Sequence, residues 1–569
     1  MWKVFMTKWQ AKNNNTAATD IEIRGKKIPK VIVQILKNRG CETTRSIEKF
    51  FAPSLDDLHD PFLIADMEKA VDRIVQAISN QEKILIHGDY DTDGITGAAL
   101  LIKNLREFGL DVNYYIPNRL EEGYGLQKSG VDRAHAKQCS LIITVDCGSS
   151  AIDEIAYARK KGIDVIVCDH HRPKSVLPDA LAMINPKTPD SNYPFPDLAG
   201  VGVAFKLLQA LHDKMHRPKE QCHEDLDLVA LGSVVDIVPL IDENRILAKY
   251  GISRMPKSKK PGIQALLEET GLKKGVTAYH LGFVIGPRIN ACGRLRDARS
   301  ALELMLTSDM SRALEIARSL SLDNQERKSI EDEIHGEAIS MIQAEGYDQD
   351  QVIVVANEGW HEGVLGIVAS RITNEYYRPA LALSIKEGAA KGSARSIPGV
   401  DITEAIGTCH ALLIKYGGHK QAAGLELESK NLDSLRACLN AYAKGLDSAI
   451  FERHSMYDTE LDLTGITPEV IYFLKYFEPT GMANPQPVFR GCDFEVVGIP
   501  RVVGTNHLKI ALRKGSKAFP AIAFDQAEDI LGIEIGKTRV NCLYSIAEDA
   551  FLGKRKVLLR IKEMEIREP

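Results

Sequence analysis

The stretch Ile84-Leu85-Ile86-His87-Gly88-Asp89-Tyr90-Asp91-Thr92-Asp93-Gly94-Ile95-Thr96-Gly97 decides the fold. A short apolar run ends in one imidazole and three carboxylates at alternate positions, with glycines on both flanks. The run reads as a buried strand, and Gly97-Ala98-Ala99-Leu100-Leu101-Ile102 begins a helical pattern. The acids then occupy the turn at the carboxyl end of a strand, where open α/β sheets bind their ligands. Carboxylates this close repel one another unless a cation sits among them, and a divalent metal is the obvious neutraliser. In an extended turn, Asp91 and Asp93 would share a face. Taken alone, an Asp-rich surface turn capping a helix would look the same.

From about 56 to 250, strand and helix patterns alternate. Further apolar runs lie at 112–116, 141–145 and 164–168, with helical segments at 97–108 and 151–161. Continuous apolar runs joined by helices imply a parallel sheet covered on both faces. The run at 141–145 ends in Asp146-Cys147-Gly148, and that at 164–168 in Asp169-His170-His171. Three strands thus deliver acids and histidines to one edge of one sheet. Asp236 is a lone carboxylate in Leu231–Leu240, where burial demands a cation or a strong hydrogen-bond partner; capping a helix end before Pro239 is its bland alternative.

The 569 residues exceed one core, and three or four domains are expected. With 44% hydrophobic and 26% charged residues the composition is globular, and the net charge of −5 does not announce a nucleic-acid binder. Residues 253–300 nevertheless carry ten Lys/Arg against three Asp/Glu. The ten cysteines form no CxxC pair and read as reduced, mostly buried thiols. The opening Met1-Trp2-Lys3-Val4-Phe5 lacks the apolar core of a signal peptide, and no uninterrupted 18-residue apolar run follows. A cytoplasmic protein with no membrane attachment is expected.

Residues 1–55 read as an N-terminal extension with a flexible patch at Asn13–Asn15 and a helix near 28–38. Residues 308–346 are helical and charged, one long connector with a break or two. A second α/β pattern starts at Gln351. Gly392-Ser393-Ala394-Arg395-Ser396 puts a hydroxyl and a guanidinium on one face if extended. Gly417-Gly418-His419-Lys420 sets His and Lys behind a diglycine. From about 455 short strands near 494–503, 506–513, 519–524, 537–546 and 556–565 suggest a small barrel. Arg513, Lys514 and Lys517 are either groove charges or ordinary solvated side chains.

The motifs His87–Gly94, Val145–Gly148, Asp169–His171 and Asp236 together resemble the four motifs of the DHH phosphoesterase superfamily and, within it, the RecJ family of single-strand-specific 5′→3′ exodeoxyribonucleases. The resemblance runs from about residue 50 to the end. It implies an α/β multidomain protein: a parallel-sheet DHH domain, a second α/β domain (DHHA1) joined by the long helical connector, and a C-terminal OB-fold β-barrel. The expected divisions are 1–55, 56–250, 251–345, 346–452 and 453–569. Carried over from the superfamily, His87, Asp91 and Asp146 hold one ion, and Asp93, Asp146, His170 and Asp236 the other. Carboxylates with imidazoles and no thiolate suit Mn²⁺ first and Mg²⁺ second, and the ligand count points to a pair of divalent ions about 3.5–4 Å apart. His171 is left to hydrogen-bond the scissile phosphate, and Asp89 to orient His87 or a ligand water.

Arg119, following a strand, is placed to clamp a neighbouring phosphate. Gly286–Arg294 resembles the segment that bridges the two domains and adds Arg288 and Arg294 to the cleft. By the same resemblance Ser393, Arg395 and His419 contact phosphate, and Arg288, Ser393 and Arg395 hold the terminal 5′ phosphate. The substrate implied is single-stranded DNA with a 5′ end, cut by a monomer to 5′-mononucleotides in repair and recombination. A helicase and a single-strand-binding protein are candidate partners. Two rivals remain: a DHH phosphodiesterase of short oligonucleotides or cyclic dinucleotides, and a non-catalytic single-strand-binding replication factor. The basic stretch and barrel weigh against the first, the full ligand set against the second.

Overall fold

A computed structural model describes residues 7–12, 21–23, 25–119, 121–551 and 554–567. Its first sheet is built from β1 (Lys83–Gly88), β2 (Asp111–Tyr115), β3 (Leu141–Val145), β4 (Asp164–Cys168) and β5 (Ala182–Ile184). All are parallel, in the order β2-β1-β3-β4-β5. Every residue of β3 is buried, as a strand covered on both faces requires. Helix α1 (Thr92–Glu107) follows β1 and packs with α2 (Gly200–Lys214) and α3 (Leu226–Val235) in one apolar core.

The helix after the acidic turn starts five residues earlier than its apolar pattern. Asp91 is the N-cap of α1, accepting from the N–H groups of Asp93 (2.9 Å) and Gly94 (3.1 Å). Asp and Asn are favoured there because their side chains satisfy donors the first turn cannot. Asp91 and Asp93 therefore do not share an extended face.

Helix α4 (Gly286–Leu295) leads through a short helix to α5 (Met310–Glu345), a single 36-residue helix without the expected break. Asp309 caps its start and Gly346, in the left-handed region at φ 72°, ends it. At about 1.5 Å per residue it spans about 54 Å. Ala313, Ile316 and Leu320 join the core of the first sheet, and Ile334, Ala338 and Ile342 that of the second. The connector is a strut shared by two cores.

The second α/β unit comprises β6 (Ile353–Glu358), helix α6 (Leu365–Tyr376), β7 (Ala380–Lys386), β8 (Ala389–Arg395), β9 (Leu413–His419) and β10 (Ala422–Glu428). The order is β9-β10-β8-β7-β6, with only β6 and β7 parallel. Cys409 and Cys438 are disulfide-bonded in this unit. This corrects the expectation of reduced thiols throughout: the two lie 29 residues apart, on segments that only the fold brings together.

The last region is a closed five-stranded barrel of β11 (Phe489–Val503), β12 (His507–Lys514), β13 (Lys517–Ala523), β14 (Arg539–Phe551) and β15 (Lys554–Arg567). Pairing of β11 with β14 closes it. The N-terminal helix Lys30–Lys37 buries Ile32, Ile35 and Leu36 in the same core as Phe473, Phe477 and Phe489. Lys8–Ala11 pairs with His454–Tyr457. The start of the chain is thus built into its far end; Asn13–Asn15 lie outside the described residues. Among the described residues, no helix is long and apolar enough to cross a membrane.

Candidate metal centre and phosphate clamp

The carboxyl ends of β1, β3 and β4 and the end of α3 converge. Asp93 is fully enclosed, its two carboxylate oxygens accepting from the first N–H groups of α2, Gly200 (2.6 Å) and Val201 (2.8 Å). A helix N-terminus favours such a negative charge. Gly200 permits the approach, since a Cβ there would stand 2.7 Å from the Cβ of Asp146. Asp146 adopts φ 61°, a strained conformation for a non-glycine residue and one that clusters at functional sites. His170 points its Nε2 at three carboxylates: Asp146 at 3.1 Å, Asp236 at 3.6 Å and Asp93 at 3.8 Å. Asp236 is the C-cap of α3, so the helix-end and cation readings of this residue both hold geometrically.

Donor atoms assemble in three groups, each within 4.8 Å: Asp93, His170 and Asp236; Asp89, Asp91 and Asp146; Asp146, His170 and His171. Asp89 Oδ1, Asp146 Oδ1 and His170 Nε2 are buried without a hydrogen-bond partner. Such atoms are costly to leave bare, and an oxygen- and imidazole-preferring divalent cation fits them. His87 stands apart from these groups. It is buried, and its Nε2 accepts from the backbone N–H of Gln127 at 3.4 Å. Burial pulls its pKa down to about 4, which leaves the imidazole neutral and able to donate a lone pair.

The same burial works against the acids. Desolvation, then the charge of Asp91, pushes Asp93 up to about 7, while desolvation with Asp93 and Asp91 pushes Asp236 up to about 9. Asp146 is raised well above the carboxylate range by burial and then by Asp93. The folded metal-free chain therefore retains protons that the unfolded chain has released, so its stability falls as pH rises toward about 9. Well above pH 6.5 His87 and His170 are neutral in both states and add nothing, while His171, held up by Asp169, contributes stability that is lost with rising pH, in the same direction as the acids. The melting temperature in EDTA is expected to drop between pH 6.5 and 8.5, and Mn²⁺ to restore it most at pH 8.5. A flat or rising profile in EDTA would contradict the assignment.

Residues that the sequence reading left without a role complete the centre. Asp169 accepts from the N–H groups of Ser149 (2.9 Å), His170 (2.7 Å) and His171 (3.1 Å). Its Oδ1 lies 2.8 Å from His171 Nδ1. Burial opposes its ionisation, but His171 and these donors hold its carboxyl well below the usual range. Although burial alone would lower His171, Asp169 raises it, favouring imidazolium. Tyr124 donates to the Asp146 carbonyl at 2.8 Å and stands 3.0 Å from His171 Nδ1. Asn290 on α4 accepts from both the N–H (2.8 Å) and hydroxyl (2.7 Å) of Thr92, fixing the turn from outside. The run Asp169-His170-His171 at a strand end was the available signal for Asp169; nothing local marks Tyr124 or Asn290.

Beside this centre lies a cluster of guanidinium groups. Arg119 sits 5.2 Å over the ring of Tyr90, within the acidic turn. Arg294 is lowered to about 10 by burial, then by Arg119 and Arg327, with Arg395 adding to the effect. Arg395 is lowered by burial, then by Arg119. Arg294 donates to the Gly363 carbonyl at 3.2 Å and Arg395 Nη1 to the Ala394 carbonyl at 2.8 Å, so these guanidinium groups meet backbone oxygens rather than carboxylates. Ser393 and Arg395 share one face of β8 toward the start of α6, where a Cβ on Gly366 would lie 2.8 Å from Arg395 Nη2 and 3.6 Å from Ser393 Oγ. No described contact brings Arg288 or His419 into this cluster. Arg288 donates to Ser321 Oγ (3.0 Å) and the Val284 carbonyl (2.6 Å). His419 is exposed on edge strand β9 and lines an open pocket with Asp401, Glu404, His410 and Lys420. On the barrel, Arg513 pairs with Glu495, Lys514 donates to the Cys492 carbonyl, and Lys517 is exposed.

The chain matches three family models: the DHH family N-terminal domain over residues 83–233, the DHHA1 domain over 349–445 and the RecJ OB domain over 457–563. It is 36% identical over 578 residues to the single-stranded-DNA-specific exonuclease RecJ of Dickeya dadantii, covering 98% of this chain and 99% of that one. The chain belongs to the RecJ family. The Bacillus subtilis RecJ is 38% identical over 550 residues, 95% of this chain and 68% of that protein. RecJ of Thermus thermophilus superposes with TM-score 0.81 in complex with Mn²⁺ and 0.75 with Mg²⁺, at 30% and 29% identity. In both it covers 95% of this chain, and 76% and 75% of the respective solved chains. A divalent-metal centre, a metal-dependent nuclease and the expected three-part α/β and OB architecture are thereby shown for this RecJ-family chain.

Proposed function

We propose that this chain hydrolyses single-stranded DNA from its 5′ end, releasing 5′-mononucleotides, in the cytoplasm during repair and recombination. One observation carries the reading: an acidic–imidazole centre lies beside a half-buried arginine cluster whose Arg294 and Arg395 donate to backbone carbonyls rather than to carboxylates. A metal-phosphate site flanked by a second phosphate site suits a strand end.

Two divalent ions, Mn²⁺ before Mg²⁺, are proposed. Asp93, Asp146, His170 and Asp236 hold one, on the distances to His170. Asp91 and Asp146 hold the other together with His87, whose neutral imidazole surrenders only a 3.4 Å contact to ligate. Asp89 supports that position from behind. Bound there, such ions supply Lewis-acid stabilisation of phosphoryl charge and a water more acidic than bulk.

The chain's own groups do the rest. Asp169 fixes His171 Nδ1, so Nε2 is presented outward to donate to a nonbridging oxygen of the scissile phosphate. Arg395 and Ser393, with Arg119 and Arg294, take the terminal 5′ phosphate, and that grip one nucleotide away sets the direction. Guanidinium pairs bind phosphate through parallel N–H donors. Water attacks phosphorus in line with the departing 3′-oxygen.

A panel of a 5′-labelled single strand, its duplex and a dinucleotide, each with Mn²⁺ or EDTA, tests the reading. Stepwise loss from the single strand alone, abolished by EDTA, is expected. Preferential turnover of the dinucleotide would assign a small-substrate phosphodiesterase instead, and binding without cleavage a non-catalytic factor.

A further inference from the structure

Tyr279 and Phe283 are 64% and 71% exposed, yet their rings stack with centroids 5.0 Å apart and planes at 26°. Large aromatic side chains held together in water gain little from folding and suit a ligand that covers them. They stand four residues apart on a turn containing the π-helical segment Leu281–Ile285. π-Helical turns are rare and often mark functional sites.

The underside of this turn is fixed to the metal centre. Ala278 packs with Leu240 and Val234, and Leu281 and Ile285 enter the main core. A Cβ on Gly286 would stand 2.5 Å from Val235 Cγ2. The turn is therefore seated against the end of α3, whose cap is Asp236. Ile237, the next residue, is 63% exposed at φ 60°. Arg288 donates to the Val284 carbonyl within the turn at 2.6 Å. Lys273 and Lys274, a few residues upstream in sequence, are exposed.

We propose that Tyr279 and Phe283 form a stacking platform for the nucleobases on the 3′ side of the scissile phosphate. The proposal rests on the reading of the chain as a single-strand nuclease. Its direction follows from where the two features lie. The arginine cluster meets the metal centre at Tyr90 and Asp89, whereas the platform continues from Asp236. On that reading, a strand held by its 5′ phosphate at the first runs across the metal centre toward the second. Every base has a π-face, so stacking there is sequence-tolerant and needs no base-edge readout. A duplex buries those faces between its own bases and cannot use the platform.

The test uses the full chain with a 5′-phosphorylated 20-mer, intact or carrying abasic sites at nucleotides two to four. Cleavage is followed in Mn²⁺, and binding by fluorescence anisotropy in EDTA. The wild-type protein is expected to lose about tenfold in kcat/KM, mostly through KM, when the bases are removed. Tyr279→Ala/Phe283→Ala is expected to lose about tenfold on the intact strand and nothing further on the abasic one, the non-additivity of two partners in one contact. Tyr279→Phe, which keeps the ring, should restore the dependence on bases.

Additive losses, or a double variant equal to wild type on both strands, would overturn the platform. So would a change of sedimentation coefficient in the double variant without a change in strand binding, which would assign the patch to a second copy of the chain. Absence of cleavage by the wild-type protein with base-dependent binding intact would sink the nuclease reading alone. Binding indifferent to the bases would sink the platform.

Discussion

Asp146→Asn is expected to abolish exonuclease activity, by more than about a thousandfold, or about 4 kcal/mol in barrier height. Asp146 belongs to two of the three donor groups and stands 3.1 Å from His170, so both proposed ion positions depend on it. The asparagine keeps the side-chain shape and tolerates the left-handed φ of 61°, which alanine does less well. Bound Mn²⁺ should fall with the activity. The metal-free variant should melt higher than metal-free wild type at pH 8, because the amide removes a buried carboxyl that must otherwise take up a proton or ionise among neighbouring acids. Loss of activity together with a lower metal-free melting temperature would mean that Asp146 serves the fold and not the ions. Retention of a tenth of the activity would remove it from the centre.

Arg395→Ala should raise KM for a 5′-phosphorylated strand by tenfold to a hundredfold, the usual worth of a charge-assisted phosphate contact at about 1.5–3 kcal/mol. The side chain is free to be lost: its Nη1 donates only to its neighbour's carbonyl, at 2.8 Å, and burial and Arg119 both disfavour its charge in the absence of an anion. Metal content should stay normal. A strand ending in a 5′-hydroxyl should show a much smaller penalty, because it offers the guanidinium no terminal phosphate. Equal penalties on both strands would show that Arg395 grips some other part of the DNA, and loss of bound Mn²⁺ would refute its assignment.

The strand ends were legible because parallel strands buried on both faces are nearly unbroken apolar runs, so the polar residue that terminates each run is conspicuous. That is why Asp146, Asp169–His171 and the turn after Ile86 could be placed on one sheet edge from sequence. The start of α1 was misplaced because its first turn is all acids, threonine and glycine, capped by Asp91 and lacking the apolar period that marks the rest.

The arginine cluster had no local signature as a group. Arg119, Arg294 and Arg395 come from a loop, the end of α4 and the end of β8, and only tertiary packing makes them neighbours. Tyr124 and Asn290 were missed for the same reason, since each acts across a gap in sequence: Tyr124 on Asp146 and His171, Asn290 on Thr92. The N-terminal residues looked like an appendage because their apolar positions, Ile28, Ile32 and Ile35, share a core with residues more than 400 positions away, Phe473 and Phe477 among them.

The central claim is that the acids and imidazoles at this sheet edge form a two-ion centre bridged by Asp146. Anomalous diffraction at the manganese edge, from crystals of the protein grown with Mn²⁺, measures it most directly. Two peaks are predicted: one among Asp93, Asp146, His170 and Asp236, the other between Asp91 and Asp146 with His87 as its third ligand. A single peak, or a second one that recruits Asp89 and leaves His87 on the Gln127 N–H, would contradict the account.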